Sequence, residues 1–551
     1  MDHEKLAELL FPEIKKTPLE YEAEYPKRDL PAGALVTRLG PSPTGFIHLG
    51  NLYGAFADER LAHQSGGIFY LRIEDTDDKR YVEGAVETVI DSLSFFGIRF
   101  DEGASKDGEH GGYGPYHQSD RKALYQCFAK ELVKKGFAYP CFLTEEEITE
   151  IRSIQEADQK NPGIYGEYAR CRDMDTEEIG SSLKAGKPYV IRLRSDGNMD
   201  EPAQITVSDA IRGSLSMPCN CQDVVILKAD GMPTYHFAHV CDDHFMRTTH
   251  VIRGEEWLSS LPIHIELFEK LGFAAPIYCH TAVLMKLDEN GNKRKLSKRK
   301  DPELSLDYYR QLGYHPSAVR EYLLTILNSD YEEWRAAHTD ASYEDFDFST
   351  EKMSTSGALF DLEKLNSISQ ECLLKIDASG LAEFLISWAE EFKPEAAPVL
   401  KEDRTRLMAI LDLGRAGKKP RKDLIYAAQI FEFISYFFDD YFRIEDELPE
   451  EVDPETAKNI LSRYLDTYDH SDDQAAWFDK IRSSAEELGY AARPKDYKKE
   501  PDKYKGHVGH VSTVIRLAVV GRTQSPDVWA IQQILGEEKT RERIRKFAGS
   551  F

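Results

Sequence analysis

The sequence has no run approaching the roughly 18 uninterrupted apolar residues that a membrane helix needs, and its start, MDHEKLAELLFPEIKK, is too charged for a secretory signal. A cytoplasmic protein is therefore expected. Cysteine is scarce: the eight present (Cys127, Cys141, Cys171, Cys219, Cys221, Cys241, Cys279, Cys372) are irregularly spaced over 551 residues, unlike the framework of a small secreted domain, and are expected as reduced thiols. Internal repeats and low-complexity tracts are lacking too, so the chain reads as different modules in series, roughly 3 to 5 domains by length. Positive charge is in deficit, with 70 Lys and Arg against 96 Asp and Glu and a net charge of −26. Such a field repels phosphates and excludes a protein that coats nucleic acid without specificity. Any nucleic-acid contact must be local. Three basic clusters could supply it: Lys293 to Lys300 (KRKLSKRK), Arg415 to Lys422 (RAGKKPRK) and Arg493 to Lys505 (RPKDYKKEPDKYK). The last two read equally well as solvated loops.

What is present is a mixed pattern in the first half and a helical one in the second. Ala34 to Leu39 and Ile68 to Ile73 are short apolar runs of the kind buried on both faces of a parallel sheet, with a helical stretch from about Leu49 to Leu61 between them. That is a βαβ beginning. Strand-like runs recur at Val224 to Leu227 and Ala282 to Leu287, so the sheet is expected to resume after an insertion of roughly 100 residues that starts near Tyr113. Beyond about residue 300 the 3.6-residue period takes over, as at Ala318 to Leu327, Leu424 to Phe438 and Val528 to Phe547. The chemistry is expected in the first 300 residues.

Between the first strand and the first helix stands Arg38-Leu-Gly-Pro-Ser-Pro-Thr-Gly-Phe-Ile-His48-Leu-Gly50-Asn51. A turn of this kind sets His48 and Gly50 at a helix N-terminus, where free N–H groups and the helix dipole favour anions and the missing Cβ lets a nucleotide approach. It is neither a Walker A loop nor GxGxxG, which disfavours P-loop and dinucleotide folds.

PSPTGFIHLGN resembles the HIGH signature of class I aminoacyl-tRNA synthetases in the form found in the glutamyl branch, with Asn51 in the place of the second histidine. The resemblance implies ATP with Mg2+ as substrate, His48 at the triphosphate, and Gly50 and Asn51 beside the nucleotide. The family pairs this loop with a KMSKS-like loop after the last strand of the sheet. Lys295-Leu-Ser-Lys-Arg299 follows a strand-like run and an Asn290-Gly291 turn, and five cations cluster between Lys293 and Arg299, suited to charge on a departing pyrophosphate. Lys352-Met-Ser-Thr-Ser356 is the closer literal match, but it lacks the second lysine and runs into a helical region with no strand to present it. Lys295, Ser297 and Lys298 are therefore assigned to ATP, with Lys295, Lys298 and His48 as the catalytic set.

Arg72-Ile-Glu-Asp-Thr-Asp77 closes the second strand, where open α/β sheets bind ligands, and resembles the glutamyl and glutaminyl branch, whose Glu, here Glu74, meets the amino group of the substrate. Pro233 to His239 and Val251 to Trp257 resemble the second half of that site. A glutamate side chain calls for a fixed cation, and Arg253 or Arg38 supplies the bidentate geometry; Ser42, Tyr235 and His239 are expected to line the same pocket and Trp257 to pack near the adenosine. The glutaminyl branch typically reads PEPNG where this chain has PSPTG and lacks the arginine at 253, whereas His239 is its residue. A glutaminyl enzyme, a glutamyl enzyme that also charges tRNA(Gln), and an inactive tRNA-binding paralogue stand as alternatives.

The resemblance runs from about Arg38 to Ile515-Arg-Leu-Ala-Val-Val-Gly-Arg522-Thr-Gln-Ser-Pro526, similar to the RxALTGRTxxP segment of bacterial glutamyl enzymes. It implies a Rossmann-like α/β catalytic domain over 34–112 and 223–300, interrupted by an acceptor-end-binding domain at 113–222. A stem-contact domain at 301–370 and an all-helical anticodon-binding region at 371–551 follow. Residues 1–33 match no pattern and read as a docking helix or a surface extension. Ligation of glutamate to tRNA(Glu) through an adenylate is implied, with tRNA needed before glutamate is activated, in a monomer without zinc: Cys141 and Cys171 lack a CxC partner, and Cys219-Asn-Cys221 has no second pair nearby.

Overall fold

Strands β1 (Val36–Leu39), β2 (Ile68–Leu71) and β3 (Glu102–Ser105) run parallel, Val36 opposite Ile68 and Tyr70 opposite Glu102, and β4 (Gly108–His110) closes one edge antiparallel. This is a computed structural model, and it describes residues 2–44, 46–77, 82–415 and 420–551. Gly45 of the PSPTG turn and residues 416–419 of the middle basic cluster lie outside the described residues. The chain divides into two units, Met1–Tyr308 with Arg320–Asp361, and Tyr309–Val319 with Leu362–Phe551.

In the first unit, β5 (Ala138–Cys141), β6 (Val190–Leu193), β7 (Gln204–Asp209), β8 (Gly213–Pro218) and β9 (Val225–Leu227) precede β10 (His250–Gly254) and β11 (Ile277–Thr281). β10 and β11 are parallel, and the Thr249 N–H donates to the Val36 carbonyl at 2.9 Å, which sets β10 beside β1. The sheet thus grows from β1 to β2 and β3 on one side and to β10 and β11 on the other. A crevice opens where that order reverses, at the carboxyl ends of β1 and β10. The helix Leu49–Gln64 crosses from β1 to β2 and buries most of its circumference, including Leu52, Tyr53 and Phe56, as a helix between a sheet and further chain must.

Two pairings differ from the sequence reading. β9 joins β6 and β5 in a separate antiparallel sheet, so the parallel sheet resumes at β10, not at Val224. The hairpin of β7 and β8 instead extends the parallel sheet, Asp209 lying opposite Tyr278 of β11. A three-residue apolar run carries no information about which edge it will meet. Residues before 34 are no loose extension: the helices His3–Leu10 and Pro18–Glu24 and the residues that cap their ends bury Leu6, Leu10, Phe11, Tyr21 and Tyr25 in one core with Phe128 and Phe245. Lys130 donates to the Ile14 carbonyl at 2.9 Å, fastening the segment.

The second unit is helical. Its core gathers apolar faces of Ala378–Phe392, Pro454–Thr467, Val508–Val520 and Glu537–Ala548. The single helix read over Val528 to Phe547 is two, Val528–Leu535 and Glu537–Ala548, because Gly536 takes φ +84° and ends one as it begins the next. Likewise Leu424 to Phe438 is helical over Ala427–Ile434 and then a 3-10 turn.

Candidate active site

The crevice is a cavity of ≈ 1560 Å³. Arg38, Ser42, His48, Gly50, Asn51, Glu74, Tyr235, Arg253, Trp257, Lys295 and Lys298 line it, eleven of the thirteen residues singled out from sequence. Ser297 and His239 are not on its wall. Ser297 serves its own loop, its N–H donating to Asp301 at 2.8 Å. His239 is fully buried behind Tyr235, with Nε2 3.0 Å from the Tyr278 hydroxyl. Its Nδ1 lies 3.1 Å from Asp243 without the alignment of a hydrogen bond.

His48 caps the helix Leu49–Gln64. Its Nδ1 accepts the Asn51 N–H at 3.2 Å, while the Asn51 Oδ1 accepts the His48 N–H at 3.1 Å, a reciprocal pair that satisfies two otherwise orphaned donors. Since Nδ1 accepts, the imidazole proton sits on Nε2. Burial, and after it the Lys298 charge, pushes the ring down to about 4, so His48 is a neutral donor at pH 7. A Cβ at residue 50 would lie 3.0 Å from that ring and crowd it, so glycine leaves His48 room at this position.

The cationic loop is built on a hairpin of β12 (Leu284–Leu287) and β13 (Lys293–Lys295), whose turn is tied by Asp288 accepting the N–H groups of Asn290 and Asn292. Its cations divide. Arg294 grips Asp301 with two bonds of 2.6 and 2.7 Å, holding that carboxyl down at about 2, and Lys286 pairs with Glu303. Lys295 and Lys298 stand at the cavity, the Lys298 ammonium 3.7 Å above the Phe46 ring and Lys295 4.0 Å from Glu256. The competing segment at Lys352 lines a separate small pocket and pairs with Asp330 at 3.3 Å. A two-residue strand, Ala358–Leu359, parallel to β12, follows it before the helix Leu362–Lys375, so the segment does not run directly into a helix as expected.

Three arginines stand at the carboxyl ends of β1, β2 and β10, and their partners differ. Arg72, fully buried, donates to Asp243 at 2.6 Å and to Glu74 at 2.9 Å. Arg38 donates to the same Asp243 at 3.3 Å and to the Ile252 carbonyl at 3.4 Å. Burial pushes the Glu74 carboxyl above its usual range against the pull of Arg72 and Arg38. Arg253 is only 8 % exposed, yet its partners are His280, His264, the Tyr235 hydroxyl and the Trp257 carbonyl. Among the described residues no carboxylate pairs with it. The Tyr235 and Trp257 rings lie beside it, tilted at 38° with their centroids 4.6 Å apart.

Comparison with known proteins accounts for this arrangement. Residues 34–367 match the model of the catalytic domain of class I tRNA synthetases (E and Q), and 498–548 match an anticodon binding domain. The chain belongs to the class I tRNA synthetases of the E and Q type. It is 62% identical over 547 residues to a glutamate–tRNA ligase of Acetivibrio thermocellus, covering 99% of this chain and 100% of that one. A glutamate–tRNA ligase of Clostridium perfringens is 49% identical over 552 residues, again covering 99% and 100%. The crystal structure of a glutamate–tRNA ligase from Elizabethkingia meningosepticum, in complex with its amino acid, superposes with a TM-score of 0.74 at 30% identity, covering 94% and 99% of the two chains.

For a synthetase of this type, the sequence reading missed the groups behind the pocket wall. Arg72 stood inside the quoted RIEDTD, directly after β2 and two residues from Glu74, which was the available signal. Asp243, His264, His280 and Asp209 carried none, since they come from four separate stretches of chain. Gly40 was passed over as well; a Cβ there would lie 2.4 Å from the Glu74 carboxylate. Of the cysteines, Cys141 and Cys171 are buried together, and Cys219 and Cys221 have their sulfurs 3.8 Å apart. Among the described residues, the His, Cys and acidic groups that converge as a metal would require are Glu109, His117 and Asp120, where Glu109 already accepts the N–H groups of Tyr116 and His117.

Proposed function

We propose that the cavity holds ATP and L-glutamate and that the chain joins glutamate to tRNA(Glu) through a glutamyl-adenylate. One observation carries the choice of amino acid: Arg253 is a desolvated guanidinium without a carboxylate partner among the described residues, so the γ-carboxylate of glutamate completes it where a glutamine amide would not. Glu74, held by Arg72, receives the substrate ammonium. The substrate α-carboxylate attacks the α-phosphorus of ATP, carried with its Mg2+, and pyrophosphate leaves; the terminal 2′-OH of tRNA then attacks the adenylate carbonyl and AMP leaves. No protein nucleophile is needed. His48 donates from Nε2 to phosphate oxygen without adding charge, Lys295 and Lys298 meet the charge on pyrophosphate, and Trp257 packs at the adenosine. Ser42 and Tyr235 complete the pocket, and His239 supports Tyr235 from behind instead of touching the amino acid.

In the same reading, residues 113–222 receive the acceptor end, 301–370 the stem, and 371–551 the anticodon, in a cytoplasmic monomer that acts on tRNA(Glu). Charging of tRNA(Gln) by the same chain is the second outcome to be measured. The deciding variant is Arg253→Gln, which removes the cation and keeps hydrogen-bonding capacity. Its kcat/KM for glutamate is expected to fall about 10³-fold while a weak glutamine reaction falls far less, because only the carboxylate loses its counter-ion. Proportional loss of both in aminoacylation assays would sink the role given to Arg253.

A further inference from the structure

We infer that Arg253 is held by a cage of uncharged groups that keeps its positive charge available, and that His264 and His280, with Asp209 behind, are the positioning residues of this selectivity. The inference rests on the proposed recognition of a carboxylate side chain by Arg253. A guanidinium has five N–H donors and no acceptor, so any ring nitrogen facing it must present a lone pair. His280 Nε2 lies 2.9 Å from Arg253 Nε, which puts the His280 proton on Nδ1, 2.6 Å from Asp209 Oδ2. His264 Nδ1 lies 3.1 Å from Arg253 Nη1, which puts the His264 proton on Nε2, 3.1 Å from His236 Nδ1 at the cavity wall. Each imidazole is thus committed to one tautomer and cannot accept a second proton while these contacts stand.

The remaining contacts of Arg253 are equally neutral. The Tyr235 hydroxyl is at 3.3 Å, the Trp257 carbonyl at 3.4 Å, and the Tyr278 ring centroid at 4.8 Å. Asp209 stands one imidazole away, and its charge is already spread over the N–H groups of Ile211, Arg212 and His280. Arg38 and Arg72 make the contrast, since both share Asp243. An arginine oriented by a carboxylate is well placed but neutralised. One oriented by imidazoles is well placed and still a cation in a dry pocket, where an incoming carboxylate gains most.

The test compares His264→Asn with His264→Asp in the full-length enzyme, two side chains of one shape that both offer Arg253 an acceptor and differ in charge. With tRNA present, pyrophosphate exchange by His264→Asp is expected to show a KM for glutamate about 10²-fold above that of His264→Asn, with the KM for ATP within about twofold. Equal glutamate KM values in the two variants, both folded by thermal melting, would overturn the cage. A wild type that charges glutamine in preference to glutamate would instead overturn the recognition by Arg253 itself, and the cage with it. Should either variant not fold, nitrogen-15 NMR of the wild-type histidines decides: neutral His264 protonated on Nε2 and neutral His280 protonated on Nδ1 support the cage, and the opposite tautomer or an imidazolium at either position refutes it.

Discussion

In the β12–β13 hairpin and the cationic loop that follows it, residues of the same charge do different work because of what each one touches. Arg294 and Lys286 are consumed by Asp301 and Glu303, so their loss would loosen the hairpin. Lys298 has an aromatic face beneath it and the cavity before it. Lys298→Ala is therefore expected to leave the fold and glutamate affinity nearly intact while slowing adenylate formation by roughly 10²-fold, the effect of removing one preorganised cation from a phosphate site. Lys352→Ala should change the rate by less than about twofold, since it breaks an exposed ion pair with Asp330. Pyrophosphate exchange with tRNA present separates them, and equal damage would reverse the choice between the two loops. His48, Arg253 and Glu74 were legible because each sat in a contiguous pattern. Arg72 was half-legible. The histidines around Arg253 were not, because a hydrogen bond between residues 253 and 280 leaves no mark on either neighbourhood in sequence.

Elements show how a motif can be read without its reason being visible. The stretch Ile515 to Pro526, which contains Gly521-Arg522-Thr523, was recognised by likeness alone. In the structure Gly521 ends the helix Val508–Val520 in the left-handed region, φ +82°, and a Cβ there would lie 2.0 Å from the Arg443 carbonyl oxygen. Arg522 then grips Glu445 through two bonds of 2.7 Å, and Thr523 gives Asp446 both its N–H and its hydroxyl, at 2.6 and 2.7 Å. The three residues fasten a helix end to the loop at 443–446. Gly521→Ala is expected to destabilise the second unit by roughly 2–4 kcal/mol, through backbone strain plus displacement of Arg443, and a chemical-denaturation midpoint followed by Trp388, Trp477 and Trp529 would show it. A change below about 0.5 kcal/mol would mean that the loop yields freely. Gly536 teaches the converse. Val528 to Phe547 was read as one helix, and Gly536, at φ +84°, divides it into two.

Across the first unit, buried imidazoles set the response to acid. Burial pushes His48 and His236 down to about 4 and His239 and His264 well below the ordinary 6.5, and it lowers His244, His250 and His280 as well. Below pH 6.5 the unfolded chain takes up these protons and the folded chain does not, so stability is full above that pH and falls toward pH 4. His63, raised by its bond to Asp101, and Asp58, Glu59, Glu74 and Asp223, raised by burial, oppose the trend, but they are five against seven. The urea midpoint of this unit, read from hydrogen exchange in β1 and β10, should drop between pH 7 and pH 5 at about 1.4 kcal/mol per pH unit for each net proton. A flat midpoint would mean that the imidazoles titrate normally. By itself the sequence determined the βαβ opening, the two loops that bring His48 and Lys298 to the cavity, the helical second half and most of the pocket wall, because each of these is written in periodicity or in a run of neighbouring residues. The partner strands of β7 and β9, the burial of the first thirty residues, the sharing of Asp243 between Arg38 and Arg72, and the neutral surroundings of Arg253 were decided only in three dimensions. Strand pairing, desolvation and charge balance depend on what lies across a gap of 4 Å, and the chain brings those groups together from positions as much as two hundred residues apart.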